Sequence, residues 1–187
     1  MPSSILFTGG ARSGKSRLAR TWIEQGPGPR TFIATAQCPP GDDEFATRIQ
    51  RHRDEREHLW ADTAEVHLDV VGAINNAVHV GSQGVVVDCV TLWLTSLGMA
   101  HGWEERPMLA AVDGFAELLE QPPIRIAVVT NEVGSGIVPE HPLGRRFRDL
   151  QGFANQRLAA AATQVALMVC GLPLWIKGNV DKDSHHG

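Results

Sequence analysis

A chain of 187 residues with 43% hydrophobic and 20% charged content fits one globular domain with room for a substantial core. No apolar run approaches the ~18 residues of a membrane span, and a net charge of −4 gives no reason to expect a nucleic-acid partner. The opening MPSSILF lacks the basic and long apolar regions of a secretory signal, so the cytoplasm is the expected compartment. Cys38, Cys89 and Cys170 are odd in number and far apart, which suits free thiols better than a disulfide or zinc framework.

Ser4–Thr8 reads as a first strand, apolar enough to be buried on both faces. FTGGARSGKSRLA follows it. Gly9, four residues, then Gly14-Lys15-Ser16 matches the phosphate-binding loop, with a strand before and a helical pattern (Lys15–Gln25) after. The chemistry explains the spacing. The backbone of Gly9, Gly10, Ala11, Arg12, Ser13 and Gly14 can curl its N–H groups around a polyphosphate, at a helix N-terminus whose dipole favours anions. Lys15 then reaches the β/γ oxygens and Ser16 can ligate Mg²⁺. With three lysines against fourteen arginines in the chain, Lys15 is not drawn from a lysine-rich surface.

Arg30–Thr35 is the second expected strand and Glu44–Trp60 the second helix. At 100° per residue, that helix gathers Phe45, Ile49, His52, Arg53, Arg56 and Trp60 into a sector roughly 100° wide, apolar at its ends and cationic in the middle. Two readings stay open: a solvated basic face, or a histidine and two arginines aimed at a bound anion. His52 could there be a base, a hydrogen-bond donor or a nucleophile toward phosphorus. Val85–Val90 is the third strand, and its Asp88 stands where an acid that holds magnesium or its water belongs, making Ser16 and Asp88 the candidate metal ligands.

Helices are expected at Thr91–Leu97 and Met108–Glu120, then a strand at Arg125–Thr130. VVTNEVG puts Asn131 and Glu132 just beyond it, where they could orient a nucleophile or cap a loop. A helix at Leu143–Ala162, a strand at Val165–Cys170 and a last strand at Leu172–Ile176 complete the pattern. GNVDKDSHHG reads as a flexible polar tail, His185 and His186 included. The alternation predicts an α/β fold: a single-domain P-loop NTPase-like unit over residues 1–177, with a mainly parallel open sheet flanked by helices, and a tail over 178–187. Ligands of such a sheet bind at the carboxyl ends of its strands.

FTGGARSGKS, FIATAQ, DDEFATRIQRHRDER, VVVDCVTLWLTSL and VVTNEVGSGIVPEHPLGRRFRDLQGFANQRLAAAATQVALMVCGLPLWIK together resemble the bifunctional adenosylcobinamide kinase/adenosylcobinamide-phosphate guanylyltransferases of cobalamin biosynthesis, from Ile5 to Lys177. The loop alone is generic. The TNEVGSGIVPE block and the histidine helix are specific to that family. The resemblance implies phosphorylation of adenosylcobinamide by a nucleoside triphosphate, then transfer of GMP from GTP to the phosphate through a guanylylated histidine. Carried over, His52 is that histidine and Lys15 the loop's catalytic cation. Further nucleotide contacts fall at Thr35, Ala36 and Gln37, at Arg53, Asp54, Glu55 and Arg56, at Glu65 and at Asp88. GTP and ATP are the implied substrates, Mg²⁺ the cofactor, a corrinoid the acceptor, and the assembly a homo-oligomer, with a trimer as one form it could take.

Two departures stand out: Glu57 follows Arg56 where the family usually has proline, and Glu65 lies five residues after Trp60 rather than four. The Asn-Lys-x-Asp motif that reads guanine is absent, so guanine preference rests on the resemblance. The residues also admit two rivals: a P-loop small-molecule kinase without nucleotidyl transfer, and a non-catalytic nucleotide-sensing regulator. No Gly-x-Ser-x-Gly or His-Glu-x-x-His stretch supports a hydrolase.

Overall fold

The first apolar run becomes β1 (Ser4–Gly9), an inner strand of a seven-stranded sheet in the computed structural model, which describes residues 2–36, 47, 60 and 62–178. The other strands are β2 (Arg30–Ala34), β3 (Asp62–Glu65), β4 (Gly84–Asp88), β5 (Arg125–Val129), β6 (Gln164–Val169) and β7 (Leu172–Lys177). Their spatial order is β3-β2-β4-β5-β1-β6-β7. Every neighbouring pair is parallel except β6 and β7, which form a hairpin. Its turn residues Cys170 and Gly171 have φ of 52° and 85°. Two positive values are what a two-residue type I′ hairpin requires.

Five helices are described: α1 (Lys15–Glu24), α2 (Val70–His79), α3 (Val90–Ala100), α4 (Glu105–Glu120) and α5 (Pro142–Ala161). They cover both faces, which is why the inner strands carry no polar face. On one side Ile5, Phe7, Val86, Ala127 and Val129 pack against Ala19 and Ile23 of α1. On the other, Leu6, Val85, Val87, Ile126 and Val128 meet α2 to α5, where Trp93 and Phe115 pack edge to face at 5.7 Å. Fully burying one such side chain contributes about 1.5–3 kcal/mol. A one-residue slip of β1 would exchange its two apolar sets between layers, so the layers fix the register.

The expected strands and helices fall within a few residues of the observed ones, with three differences. β4 stops at Asp88 instead of running to Val90, because the Cys89 N–H and C=O are both taken by the Thr35 hydroxyl and Cys89 becomes the N-cap of α3. β3 and α2 were not anticipated. β3 is a four-residue edge strand of mixed polarity, and α2 carries a glycine and four β-branched residues. α2 is fixed instead by its cap, where Asp69 Oδ1 accepts from the Gly72 N–H at 2.7 Å.

The expected helix at Glu44–Trp60 lies outside the described residues except for Thr47 and Trp60, as does the tail from 179 onward. Trp60 meets Phe32 edge to face at 5.8 Å. Among the described residues no helix is long and apolar enough to cross a membrane, and Cys89 and Cys170 are free thiols.

Candidate active site

β1 ends at Gly9, whose φ of +142° only glycine adopts without strain, and a Cβ there would stand 2.6 Å from the Met168 carbonyl oxygen of β6. The chain then rises over the carboxyl end of the sheet and enters α1 through Gly14, the left-handed N-cap (φ 93°). Gly10, Ala11 and Arg12 are exposed, Ser13, Gly14 and Ser16 half-buried. Lys15 is buried at 6% exposure, and its ammonium donates to the carbonyls of Gly9 at 2.9 Å and Gly10 at 2.5 Å, with Ser13 Oγ at 3.4 Å. The lysine is thus folded over its own loop, where phosphate oxygens would compete for the same donors.

Asp88 closes β4 in register with Ala34 of β2 and Val129 of β5, and Ala34 is in turn level with Glu65 of β3. Glu65, Asp88 and the loop therefore share the carboxyl edge of the sheet. β5 separates β4 from β1, so Asp88 stands two strand spacings, about 10 Å, from the β1 line. Its charge still reaches Lys15. Burial lowers the Lys15 pKa, and Cys89 and Asp88 act to raise it. Burial foremost, with Asp88 beside it, pushes the Cys89 thiol up to about 12, so at neutral pH it carries no charge and Asp88 is the anion that steadies the ammonium.

Thr35 is fully buried, and its hydroxyl is committed to Cys89. It holds the ends of β2 and β4 together, reinforced by its N–H on the Asp88 carbonyl at 3.1 Å. Ala36 is half-buried beside it and Glu65 is exposed. Gln37, His52, Arg53, Asp54, Glu55 and Arg56 lie outside the described residues. The structure therefore brings the loop, Lys15, Ser16, Asp88, Thr35 and Ala36 to one edge and leaves the histidine segment undescribed.

Sequence reasoning did not single out Thr91, Gln151 or Asn155. Asn131 donates to Thr91 Oγ1 through both its N–H and Nδ2, and Asn155 Nδ2 donates to the Asn131 carbonyl. Gln151 Nε2 donates to Thr130 Oγ1 at 3.0 Å and to Asn155 Oδ1 at 2.9 Å. The available signal was a glutamine and an asparagine at i and i+4 on the inner face of an otherwise apolar helix stripe, Leu150, Ala154 and Leu158.

For a divalent cation the fit rests on oxygen donors: the Asp88 carboxylate at a strand end and the Ser16 hydroxyl in the first turn of α1. No group of three or more His, Cys, Asp or Glu that could hold a metal is present among the described residues. A Mg²⁺ ion here would be completed by phosphate oxygens and water, its usual habit at nucleotide sites.

The chain matches the family model described as cobinamide kinase / cobinamide phosphate guanyltransferase over residues 5–176. It is similar to the bifunctional adenosylcobalamin biosynthesis protein CobU of Salmonella typhimurium, 43% identical over 186 residues, covering 92% of this chain and 99% of that protein. The Escherichia coli protein of the same name is 41% identical over the same shares. The bifunctional adenosylcobalamin biosynthesis protein CobP of Pseudomonas aeruginosa is 38% identical over 173 residues, 92% of this chain and 96% of its own.

Proposed function

Because the chain belongs to the cobinamide kinase / cobinamide phosphate guanyltransferase family, we propose that it phosphorylates adenosylcobinamide with ATP or GTP and then transfers GMP from GTP to the product, giving adenosylcobinamide-GDP and pyrophosphate. The observation that carries the triphosphate half is the buried Lys15 ammonium, held over the mouth of a glycine-shaped loop and steadied by Asp88. On binding, phosphate oxygens replace the Gly9 and Gly10 carbonyls as its acceptors. The loop N–H groups and the α1 N-terminus orient the chain of phosphates. Ser16 and Asp88 would hold Mg²⁺, which supplies charge neutralisation between the phosphates.

For the guanylyl step, the neutral His52 imidazole attacks the α-phosphorus of GTP. An N–P bond forms and the P–O bond to pyrophosphate breaks. A phosphate oxygen of the corrinoid phosphate then attacks the same phosphorus, the P–N bond breaks, and the imidazole is returned neutral. Arg53 and Arg56 would disfavour the imidazolium as like charges and neutralise charge on the phosphate oxygens. This assignment is supported by the basic break in the helical stripe and by the family's described activity. As part of the same proposal, the enzyme works in the cytoplasm as a homo-oligomer.

The test is incubation with Mg²⁺ and GTP labelled at the α or the γ position, without corrinoid, then acid or alkali. The expected result is covalent α-label only, lost in acid, stable in alkali, absent from His52→Asn and chased off by the corrinoid phosphate. Label retained in His52→Asn, or no label at all, would leave the kinase without nucleotidyl transfer.

A further inference from the structure

β5 stands between the two strands that carry the phosphate loop and Asp88, and the residues at its end hydrogen-bond in both directions. Toward β1, the Glu132 N–H donates to the Gly9 carbonyl at 3.1 Å, the same oxygen that holds Lys15 Nζ at 2.9 Å. Toward β4, both Asn131 donors, the backbone N–H and Nδ2, reach Thr91 Oγ1 at 3.1 Å each, three residues beyond Asp88. From α5, Asn155 Nδ2 donates to the Asn131 carbonyl at 3.1 Å, and Asn155 Oδ1 accepts from Thr130 Oγ1 at 2.7 Å. Thr130 and Gln151, behind this joint, are fully buried. A strand end that had only to turn could leave such groups to water. Here they tie β1, α3 and α5 to two consecutive residues, Glu132 bonding toward β1 and Asn131 toward α3 and α5.

We propose that Asn131 is a positioning residue that sets the separation between Lys15 and Asp88, matching it to the span of a metal-bound triphosphate. The inference rests on the Mg²⁺–triphosphate reading of the site and deepens it. Lys15 and Asp88 engage different parts of the ligand: the ammonium meets phosphate oxygens, the carboxylate the metal or its water. An error in their spacing matters when both are engaged at once, and matters little when the loop alone binds. Loss of the Asn131–Thr91 joint should therefore weaken the metal-loaded nucleotide selectively. A contact serving only the fold would weaken both forms alike.

The experiment reads binding rather than turnover. Wild type, Thr91→Val, Thr91→Ser and Asn131→Ala are titrated calorimetrically with GTP in EDTA and again in excess Mg²⁺. Valine removes the shared acceptor at nearly constant shape, serine keeps it, and the half-buried Asn131→Ala stands in should Thr91→Val fail to fold. The expected result is a loss on the order of tenfold in Mg²⁺–GTP affinity for Thr91→Val, the equivalent of about one lost hydrogen bond. Metal-free GTP should bind within about twofold of wild type by the same reasoning. Asn131→Ala should shift the same way and Thr91→Ser should restore wild-type behaviour. Equal weakening of both forms, or no weakening of either, overturns the positioning role. A wild type that binds GTP no better with Mg²⁺ instead overturns the metal reading, and this inference with it.

Discussion

The Thr35 hydroxyl donates to the Cys89 carbonyl and accepts from the Cys89 N–H, each at 2.7 Å, so one buried side chain satisfies both main-chain groups of the residue after Asp88. Thr35 sits at the end of β2 and Cys89 at the start of α3, and this clamp decides where β4 ends and how Asp88 leaves the sheet.

Thr35→Val keeps the shape and removes both bonds, leaving the buried Cys89 N–H without its partner while the Cys89 carbonyl keeps the Trp93 N–H at 3.1 Å. With one buried group left unsatisfied, the loss of folding stability should be about 1–3 kcal/mol. Thr35→Ser should recover most of it. Urea denaturation of the two variants checks this, and equal midpoints for valine and serine would mean that the hydroxyl does not hold the strand ends.

The loop makes an equally specific demand at Gly9. Gly9→Ala combines a φ of +142° with a Cβ 2.6 Å from the Met168 carbonyl, whereas a Cβ on neighbouring Gly10 meets nothing within 4 Å. Gly9→Ala should therefore cost on the order of 1–3 kcal/mol or more, while Gly10→Ala should stay within about 0.5 kcal/mol of wild type, as surface substitutions usually do. Denaturation midpoints of the pair decide the matter. Two equally stable variants would mean that β6 gives way and that the loop's shape is not set by its packing on Met168.

What could be read from sequence follows a physical line. Ser4–Gly9, Gly84–Asp88 and Arg125–Val129 are buried on both faces, so composition alone exposed them, and the glycines of the loop signal a backbone conformation directly. β3 escaped because an edge strand of four residues, DTAE, needs no apolar run. α2 escaped because its β-branched VVGAINNAVH looks unlike a helix until Asp69 is recognised as its cap, with Val70, Ile74 and Ala77 falling on one buried face. At the site, Lys15 and Asp88 were legible because each motif is local. The joint of Asn131 with Thr91 and Asn155 was not, since it pairs residues 40 and 24 positions apart that only the sheet order brings together.

Lys15 and Asp88 together predict a pH dependence with two opposed signs. Burial lowers the Lys15 pKa from its ordinary 10.5, and the Asp88 charge limits that fall. If, as proposed, the free enzyme receives phosphate with the Lys15 ammonium, kcat/KM for the nucleotide, which reports free-enzyme ionisations, should fall along an alkaline limb that begins below pH 10.5. Cys89, pushed up to about 12, does not titrate in that range and leaves the limb to Lys15. Folding responds oppositely. Between the lowered folded value and 10.5 the unfolded chain binds the proton that the folded one has released, so the contribution of Lys15 to stability rises with pH across that window. Asp88→Asn removes the steadying anion and should move the kcat/KM limb to lower pH, while also raising the Mg²⁺ concentration needed for half-maximal rate. Lys15→Met should abolish both activities and flatten the alkaline rise in stability. The measurements are pH profiles of kcat/KM and of urea midpoints for the three proteins. An alkaline limb that does not move in Asp88→Asn would mean that the carboxylate does not act on the lysine, and an unchanged stability rise in Lys15→Met would assign it to another group.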